Sequence, residues 1–328
     1  MKKGAFSVKA MTRHAGTETV SVISIAIPLA LLAMLSGAIA IEAGFVRLDL
    51  RASLPSPQTV TISPRTFAYR EATEYFKGGL AVDAPKRDVK VETPLEIMKF
   101  QTSRAEYRRC VDEGFCALPE YEDLPSRDDL PVTGVSYDDA VRYAAWLSTR
   151  TGEDWRLPTD FDLAYAADDR FPDDALGVNA DDKNPATRWL ADYEREARRA
   201  ASTDPRPQPK GSFGMSETGL MDFAGNVWEW TSTCNKRIDL DKAVVEEQDP
   251  KGCGIMIASG RHRSPMSTFV RNPKGGGCSV GSPPDNLGFR LVHRPTLFQS
   301  IKDFGRRATS DILASFTSAQ TVRSNDES

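Results

Sequence analysis

The amino-acid sequence predicts an exported domain of short strands, few helices and many turns, preceded by one apolar segment. The chain has 328 residues, of which 23 are glycine and 21 are proline, and both residue types favour turns over long helices. Hydrophobic residues make up 40% and charged residues 27%, which is typical of a folded protein rather than a disordered one. We therefore expect one mixed domain outside the cytoplasm.

Residues 20–41 form an uncharged apolar segment near the N-terminus. As a helix it would be about 33 Å long, which is enough to cross the hydrocarbon core of a bilayer. Basic residues are more frequent before the segment than after it, which predicts a cytoplasmic 1–19 and a periplasmic remainder, anchored in the inner membrane by a single span. Ala38-Ile39-Ala40 also resembles the cleavage site of a signal peptide, which would release a soluble protein.

The exported part divides into a linker, one domain and a tail. Residues 42–64 are predicted to be a linker that runs into a first strand at Thr59–Ile62. The folded domain is predicted over 65–295, because no linker rich in proline, glycine and serine divides it. The segment 296–328 is polar and is predicted to be a partly disordered tail.

Within the domain, three helices are predicted from their start signals. Ser103, Ser136 and Thr159 can each cap the first turn of a helix. The run of charges at 194–199 predicts a solvated helix face. Alternating residues indicate short strands. The strands are predicted at 89–92 and 97–100, and the helices at 103–113, 136–150 and 160–168.

The five cysteines are expected to pair in an oxidising compartment. Cys110 and Cys116 could close a small loop, and Cys234 and Cys253 could form a second bridge, which leaves Cys278 as the odd cysteine. Several could instead be buried thiols, since sequence alone does not fix the connectivity. No repeated C-x-x-C spacing indicates a structural zinc site.

Charge and histidine content exclude two classes of function. Lysine and arginine total 42 against 46 aspartate and glutamate residues, so the net charge is −4, which argues against nucleic acid as a partner. The chain has only three histidines, at His14, His262 and His293, so a mechanism that needs a histidine cluster is not expected.

Three blocks of sequence together resemble the formylglycine-generating enzyme (sulfatase-modifying factor) family. The first runs from Pro131 to Thr159 and ends in RLPT, the second is GLMDFAGNVWEW at 219–230, and the third is NLGFRLV at 286–292. They occur in the order of the family and cover most of the exported domain. The resemblance implies an α+β, C-type-lectin-like fold with much irregular structure, behind the N-terminal transmembrane helix.

The resemblance also implies a calcium site around the second block. Its ligands would be backbone carbonyls of Ala224, Gly225 and Val227 together with the carboxylate of Glu229, and such oxygen ligands suit a hard cation. The alternative is a Glu229 carboxylate that is satisfied by backbone amides. Arg290 is expected to be a buried guanidinium that joins strands.

The sequence departs from the family where its enzymes hold copper with two cysteines five residues apart. Those positions fall on His262 and Ser267, and a histidine and a serine do not supply the thiolate pair that selects Cu(I). Copper binding and formylglycine generation are therefore not expected. The alternative is an oxidase-type enzyme with a rearranged metal site, for which His262, Ser267 and Cys278 are weak candidates.

Within the family, the overall pattern is most similar to accessory proteins encoded beside copper nitrite reductase in denitrifying bacteria. The features that carry this likeness are the anchor at 20–41, the YRRCVDEGFC run around Cys110 and Cys116, and the missing copper cysteines. The resemblance implies a role in maturation, electron supply or assembly around that reductase.

Overall fold

Two units are distinguished along the chain, Met1–Ala52 and Ser53–Ser328. The computed structural model describes residues 53–120, 127–179, 182, 184–200, 206–242, 252–274, 284 and 286–294. In the first unit it describes only four positions, which are helical and exposed: Ile27, Leu31, Leu32 and Leu35. Among all described residues, no helix combines the length and apolarity needed to cross a membrane. The rest of 20–41, the segment 1–19 and the tail 296–328 lie outside the described residues.

The second unit contains thirteen short strands and four helices in its described part. The helices are α1 (Arg104–Asp112), α2 (Tyr137–Thr151), α3 (Asp160–Ala167) and α4 (Pro185–Ala200). The strands are β1 (Thr59–Ile62), β2 (Arg65–Arg70), β3 (Glu74–Lys77), β4 (Leu80–Val82), β5 (Lys86–Val91), β6 (Leu95–Met98), β7 (Asp154–Arg156), β8 (Trp228–Cys234), β9 (Arg237–Asp239), β10 (Ile255–Ser259), β11 (Arg263–Ser267), β12 (Leu287–Gly288) and β13 (Val292–Arg294).

The strands form four small sheets rather than one large one. Two sheets have four strands, in the orders β1-β6-β13-β7 and β11-β10-β8-β12. A pair, β2-β5, and a three-stranded sheet, β4-β3-β9, complete the set. Pairing is antiparallel except between β12 and β8 and between β3 and β9. Strand β12 belongs to the third motif block, at 286–292, and β8 begins within the second, at 219–230. Their pairing therefore places these two blocks side by side.

The helices begin where their capping residues predict. Ser103, Ser136 and Thr159 each accept a hydrogen bond from the backbone three residues on, and the acidic side chain at that position reaches back to the cap. These capping boxes satisfy amides that the first turn leaves without an intrahelical partner. Helix α2 ends at Gly152, whose φ of 74° is the left-handed conformation that favours glycine. The three predicted helices are confirmed.

The predicted first strand at Thr59–Ile62 is confirmed as strand β1, which pairs in register with β6 at the edge of its sheet. Leu54 also donates its backbone N–H to the Arg150 carbonyl at 3.0 Å. The described end of the segment 42–64 therefore already contacts the domain predicted over 65–295.

A hydrophobic core joins α1 and α2 to the sheet that contains β8. Its largest buried side chains include Tyr107, Tyr143, Trp230 and Phe289. Two disulfides lie at its edge, Cys110–Cys116 and Cys234–Cys253, the two pairs favoured by the sequence.

Candidate functional site

Glu229 lies near the end of the second motif block, on strand β8, and is completely buried. Side chains alternate along a strand, so Trp228 and Trp230 point to the opposite face. Arg290 donates two hydrogen bonds to its carboxylate, from Nε to Oε2 at 2.6 Å and from Nη2 to Oε1 at 2.7 Å. Gln101 Nε2 donates a third, to Oε1 at 2.8 Å.

The remaining donors of Arg290 bind backbone carbonyls. Nη1 donates to the carbonyls of Met98 and Lys99, and Nη2 donates to that of Met221 at 2.9 Å. Arg290 therefore joins the end of β6, the turn before β8 and the C-terminal block. A planar guanidinium with five donors can make this set of contacts, and a lysine ammonium cannot.

The turn that precedes β8 is held by a second buried carboxylate. Asp222 accepts hydrogen bonds from the backbone N–H groups of Gly211 at 2.6 Å and Phe213 at 2.9 Å. Asp222 and Ala224 have φ values of 61° and 59°, in the left-handed region that costs free energy for residues other than glycine. A Cβ at Gly225 would lie 2.4 Å from Phe213, so this position requires glycine.

The oxygen atoms around Glu229 do not fit the calcium ion that the resemblance implies. Both carboxylate oxygens already accept hydrogen bonds from the cation of Arg290, and the Gly225 carbonyl accepts a long one, at 3.4 Å, from Arg261. A calcium ion bound through Ala224, Gly225, Val227 and Glu229 would have to displace a buried guanidinium. Among the described residues, no group of three or more histidine, cysteine or acidic side chains could hold a metal ion.

His262 is buried directly behind the second motif block. Its ring packs edge-on against Trp228, with centroids 5.2 Å apart, and its carbonyl accepts the indole N–H of Trp228 at 3.0 Å. Gly260 permits this packing, because a Cβ there would lie 2.8 Å from the indole. The imidazole is 4% exposed. His262 is therefore a packed core side chain in this arrangement.

Ser267 lies at the far end of β11 from His262. An extended strand rises about 3.3 Å per residue, so five residues separate the two by roughly 16 Å. His262 and Ser267 are an odd number of residues apart, so their side chains point to opposite faces of an extended strand. The buried residues of β11 lie on the same face as His262, and Ser267 lies on the other face. The structure does not bring these two candidate residues together. Cys278, the third candidate, lies outside the described residues.

A cavity of about 120 Å³ lies on another side of the domain. At its floor, Arg263 Nε donates to both oxygens of Asp160 at 3.1 Å. Asp160 also accepts hydrogen bonds from the Tyr69 hydroxyl at 2.9 Å and the Ser259 hydroxyl at 2.7 Å. Burial, and the charge of the Asp160 carboxylate, raise the pKa of the Tyr69 phenol above its ordinary value. Sequence reasoning selected His262 and missed Arg263 beside it, whose partners are distant in the chain.

The charges that line this cavity are matched with one another. Asp173 accepts hydrogen bonds from Arg70 and from Lys86, the latter at 2.9 Å. These contacts, with that of Arg70 the stronger, lower the pKa of the Asp173 carboxyl to about 2. Asp168 pairs with Arg65 at 3.3 Å. Each charged side chain that lines this cavity therefore has an oppositely charged partner, and Asp173 is shared by two cations.

The family suggested by the sequence is confirmed by comparison with known proteins. A model of the sulfatase-modifying factor enzyme 1-like domain matches residues 47–295, which is most of the chain. The chain belongs to this family, and its mixed fold of helices and strands is the fold of that domain.

Two curated proteins and one solved structure are similar to this chain. The formylglycine-generating enzyme of Mycobacterium tuberculosis is 34% identical over 116 residues, which are 34% of this chain and 36% of that protein. Inactive C-alpha-formylglycine-generating enzyme 2 of Bos taurus is 28% identical over 166 residues, which are 50% of each. The structure of PvdO from Pseudomonas aeruginosa matches with 20% identity and a TM-score of 0.45, over 73% of this chain and 94% of that one. The chain thus spans about a third to a half of the two curated relatives.

Proposed function

We propose that this protein is a binding module without formylglycine-generating activity. The observation that carries the proposal is the number of cysteines left outside disulfides. Of the five cysteines, four are joined in the two disulfides, so only Cys278 remains as a thiol. A site that holds Cu(I) between two thiolates cannot be assembled from one thiol.

The surroundings of His262 and Ser267 support the same proposal. One is packed against Trp228 and the other lies at the opposite end of a strand, so neither replaces a pair of copper ligands. One relative is named as an inactive formylglycine-generating enzyme, and this similarity supports the absence of that activity here. The buried packing around Glu229 and Arg290 then stabilises the fold, and the outer surface of that fold binds the partner.

We place the module on the periplasmic face of the inner membrane. The support is the uncharged segment 20–41, long enough to span a bilayer. Its four described positions, Ile27, Leu31, Leu32 and Leu35, are helical and carry exposed apolar side chains. Such side chains are stable in contact with lipid and unfavourable in water.

The partner we propose is copper nitrite reductase or its maturation machinery. The support is the resemblance of the anchor, the Cys110–Cys116 loop and the missing copper cysteines to accessory proteins encoded beside that enzyme. The role would be assembly, maturation or electron supply. Assembly and maturation need no metal in the module itself, whereas electron supply would need a redox-active group in it.

Binding to purified copper nitrite reductase tests this proposal. The full chain, reconstituted in lipid nanodiscs and immobilised, is expected to bind the reductase saturably. Empty nanodiscs and unfolded reductase serve as controls. Binding no greater than that of the empty nanodiscs, with a folded module, would contradict the choice of partner.

A further inference from the structure

Helix α4 is amphipathic, and its two faces are arranged against the usual rule. A surface helix normally buries its apolar stripe and exposes its polar one. In α4 the large apolar side chains point to solvent instead: Trp189 is 70% exposed, Leu190 51% and Tyr193 61%. They follow one another at helical spacing, and the rings of Trp189 and Tyr193 stack with centroids 5.9 Å apart.

The face that α4 turns to the domain is polar. Arg188 is buried and donates to the Asn179 carbonyl at 3.3 Å. Arg195 donates to the Asp174 carbonyl at 3.3 Å and pairs with Asp192 at 2.5 Å. Within the predicted solvated face at 194–199, Glu194 and Arg198 are exposed as expected, whereas Arg195 is half-buried. The hydrogen bonds from these two arginines to backbone carbonyls fix the rotation of the helix about its axis. In this orientation the apolar face points outward.

An exposed cluster of this kind marks a contact surface. Isolated apolar side chains are common on protein surfaces, but a contiguous group with two aromatic rings is not. Tryptophan and tyrosine are the residues enriched where a membrane meets water, because each has an apolar body and a polar tip. With leucine between them, they form the apolar face of a helix that lies in an interface.

The proposed anchor would keep the domain near a bilayer. Ser53 lies twelve residues after Ile41, a stretch that reaches at most about 40 Å when fully extended. A domain attached through residues 20–41 therefore stays close to the membrane, where weak insertion is favoured by high effective concentration. Among the described residues of α4, the exposed charged ones are Asp192, Glu194 and Arg198, which sum to −1, so these side chains provide no net attraction to anionic lipid.

We propose that α4 lies on the outer leaflet of the membrane and inserts Trp189, Leu190 and Tyr193 among the lipid headgroups. The proposal rests on the membrane attachment proposed above, and it adds a second contact that orients the domain. The partner surface of the module would then be the side that faces away from α4.

The tryptophans offer a direct test. The chain has five, and Trp146, Trp155, Trp228 and Trp230 are each at most 4% exposed, so Trp189 is the exposed one. Full-length protein is reconstituted in vesicles of phosphatidylcholine brominated near the headgroup, and its emission is compared with that of Trp189→Phe. The difference between the two isolates Trp189. We expect bromine to abolish most of this difference, and acrylamide to quench it in detergent but not in vesicles.

Two results would overturn the proposal. If Trp189 in vesicles is quenched by acrylamide and not by bromine, the helix faces water. If neither quencher reaches it, a protein surface, such as a second copy of the chain, covers the helix. Flotation of the vesicles separates these results from failure of the attachment, because a chain that does not float with lipid contradicts both proposals. Trp189→Phe keeps an aromatic ring at a solvent-exposed position, so folding is expected to be unchanged.

Discussion

Replacing Arg290 with methionine is expected to lower the free energy of unfolding by about 3–5 kcal/mol. The substitution leaves the Glu229 carboxylate buried with Gln101 as its remaining side-chain donor, and breaking one half of a buried ion pair typically costs this much. It also removes the Arg290 hydrogen bonds to the carbonyls of Met98, Lys99 and Met221, of which that of Lys99 still accepts the Met221 N–H. Urea denaturation of the full chain measures the change as a shift in midpoint at constant slope.

A matched control uses an ion pair on the surface. Lys90 and Glu92 pair at 3.1 Å, with both side chains 74% exposed, so Lys90→Met should change stability by less than about 1 kcal/mol. An equal loss in Lys90→Met and Arg290→Met would mean that burial of the Glu229–Arg290 pair does not stabilise the domain. Adding Glu229→Met to Arg290→Met should recover only part of the loss, because the Arg290 hydrogen bonds to the three carbonyls stay absent.

Removing the Cys234–Cys253 disulfide is expected to cost about 3 kcal/mol. The bridge closes a loop of nineteen residues in sequence separation, and the chain-entropy relation gives this value for loops of that length. The double variant Cys234→Ala, Cys253→Ala removes the bridge without leaving a reactive thiol. Its unfolding midpoint is compared with that of Cys110→Ala, Cys116→Ala, whose loop spans six residues and whose expected loss is about 2 kcal/mol.

Thiol titration of the unfolded, unreduced chain accompanies this comparison. One thiol per chain is expected, from Cys278, and five are expected after reduction. Three thiols before reduction would show that one bridge is missing. The thiol supply on which the proposed function depends would then have to be revised.

The local features of the fold could be predicted from the sequence. Ser103, Ser136 and Thr159 cap the helices by bonds that span three residues, so the start signals are contained in the sequence around each helix. The alternation of Trp228, Glu229 and Trp230 likewise fixes which side chains share a face. The expected buried Arg290 follows from the same local pattern together with the family resemblance.

The partners of these residues could not be predicted, because they are distant along the chain. Gln101 meets Glu229 across 128 residues, and Tyr69 meets Asp160 across 91. Only the tertiary fold sets such distances. The same cause underlies the poor fit of a calcium ion: nothing in the local sequence shows that the Arg290 guanidinium lies beside Glu229.

Helix α4 shows a different limit. Its charges predict a solvated face, since isolated charged side chains prefer water to a protein interior. The carbonyls of Asp174 and Asn179 provide hydrogen-bond acceptors for Arg195 and Arg188, and they reverse this preference. The sequence contains the amphipathic pattern but not the information about which face finds a partner.

A peptide assay tests the central proposal, a binding module without formylglycine-generating activity, most directly. The full chain is incubated with copper, a reductant, oxygen and a peptide that contains Cys-x-Pro-x-Arg, and the peptide is analysed by mass spectrometry. An active formylglycine-generating enzyme serves as the positive control, and circular dichroism verifies that the sample is folded. We expect the cysteine of the peptide to remain unchanged. Conversion to formylglycine would contradict the proposal, and would mean that one thiol per chain suffices for the chemistry.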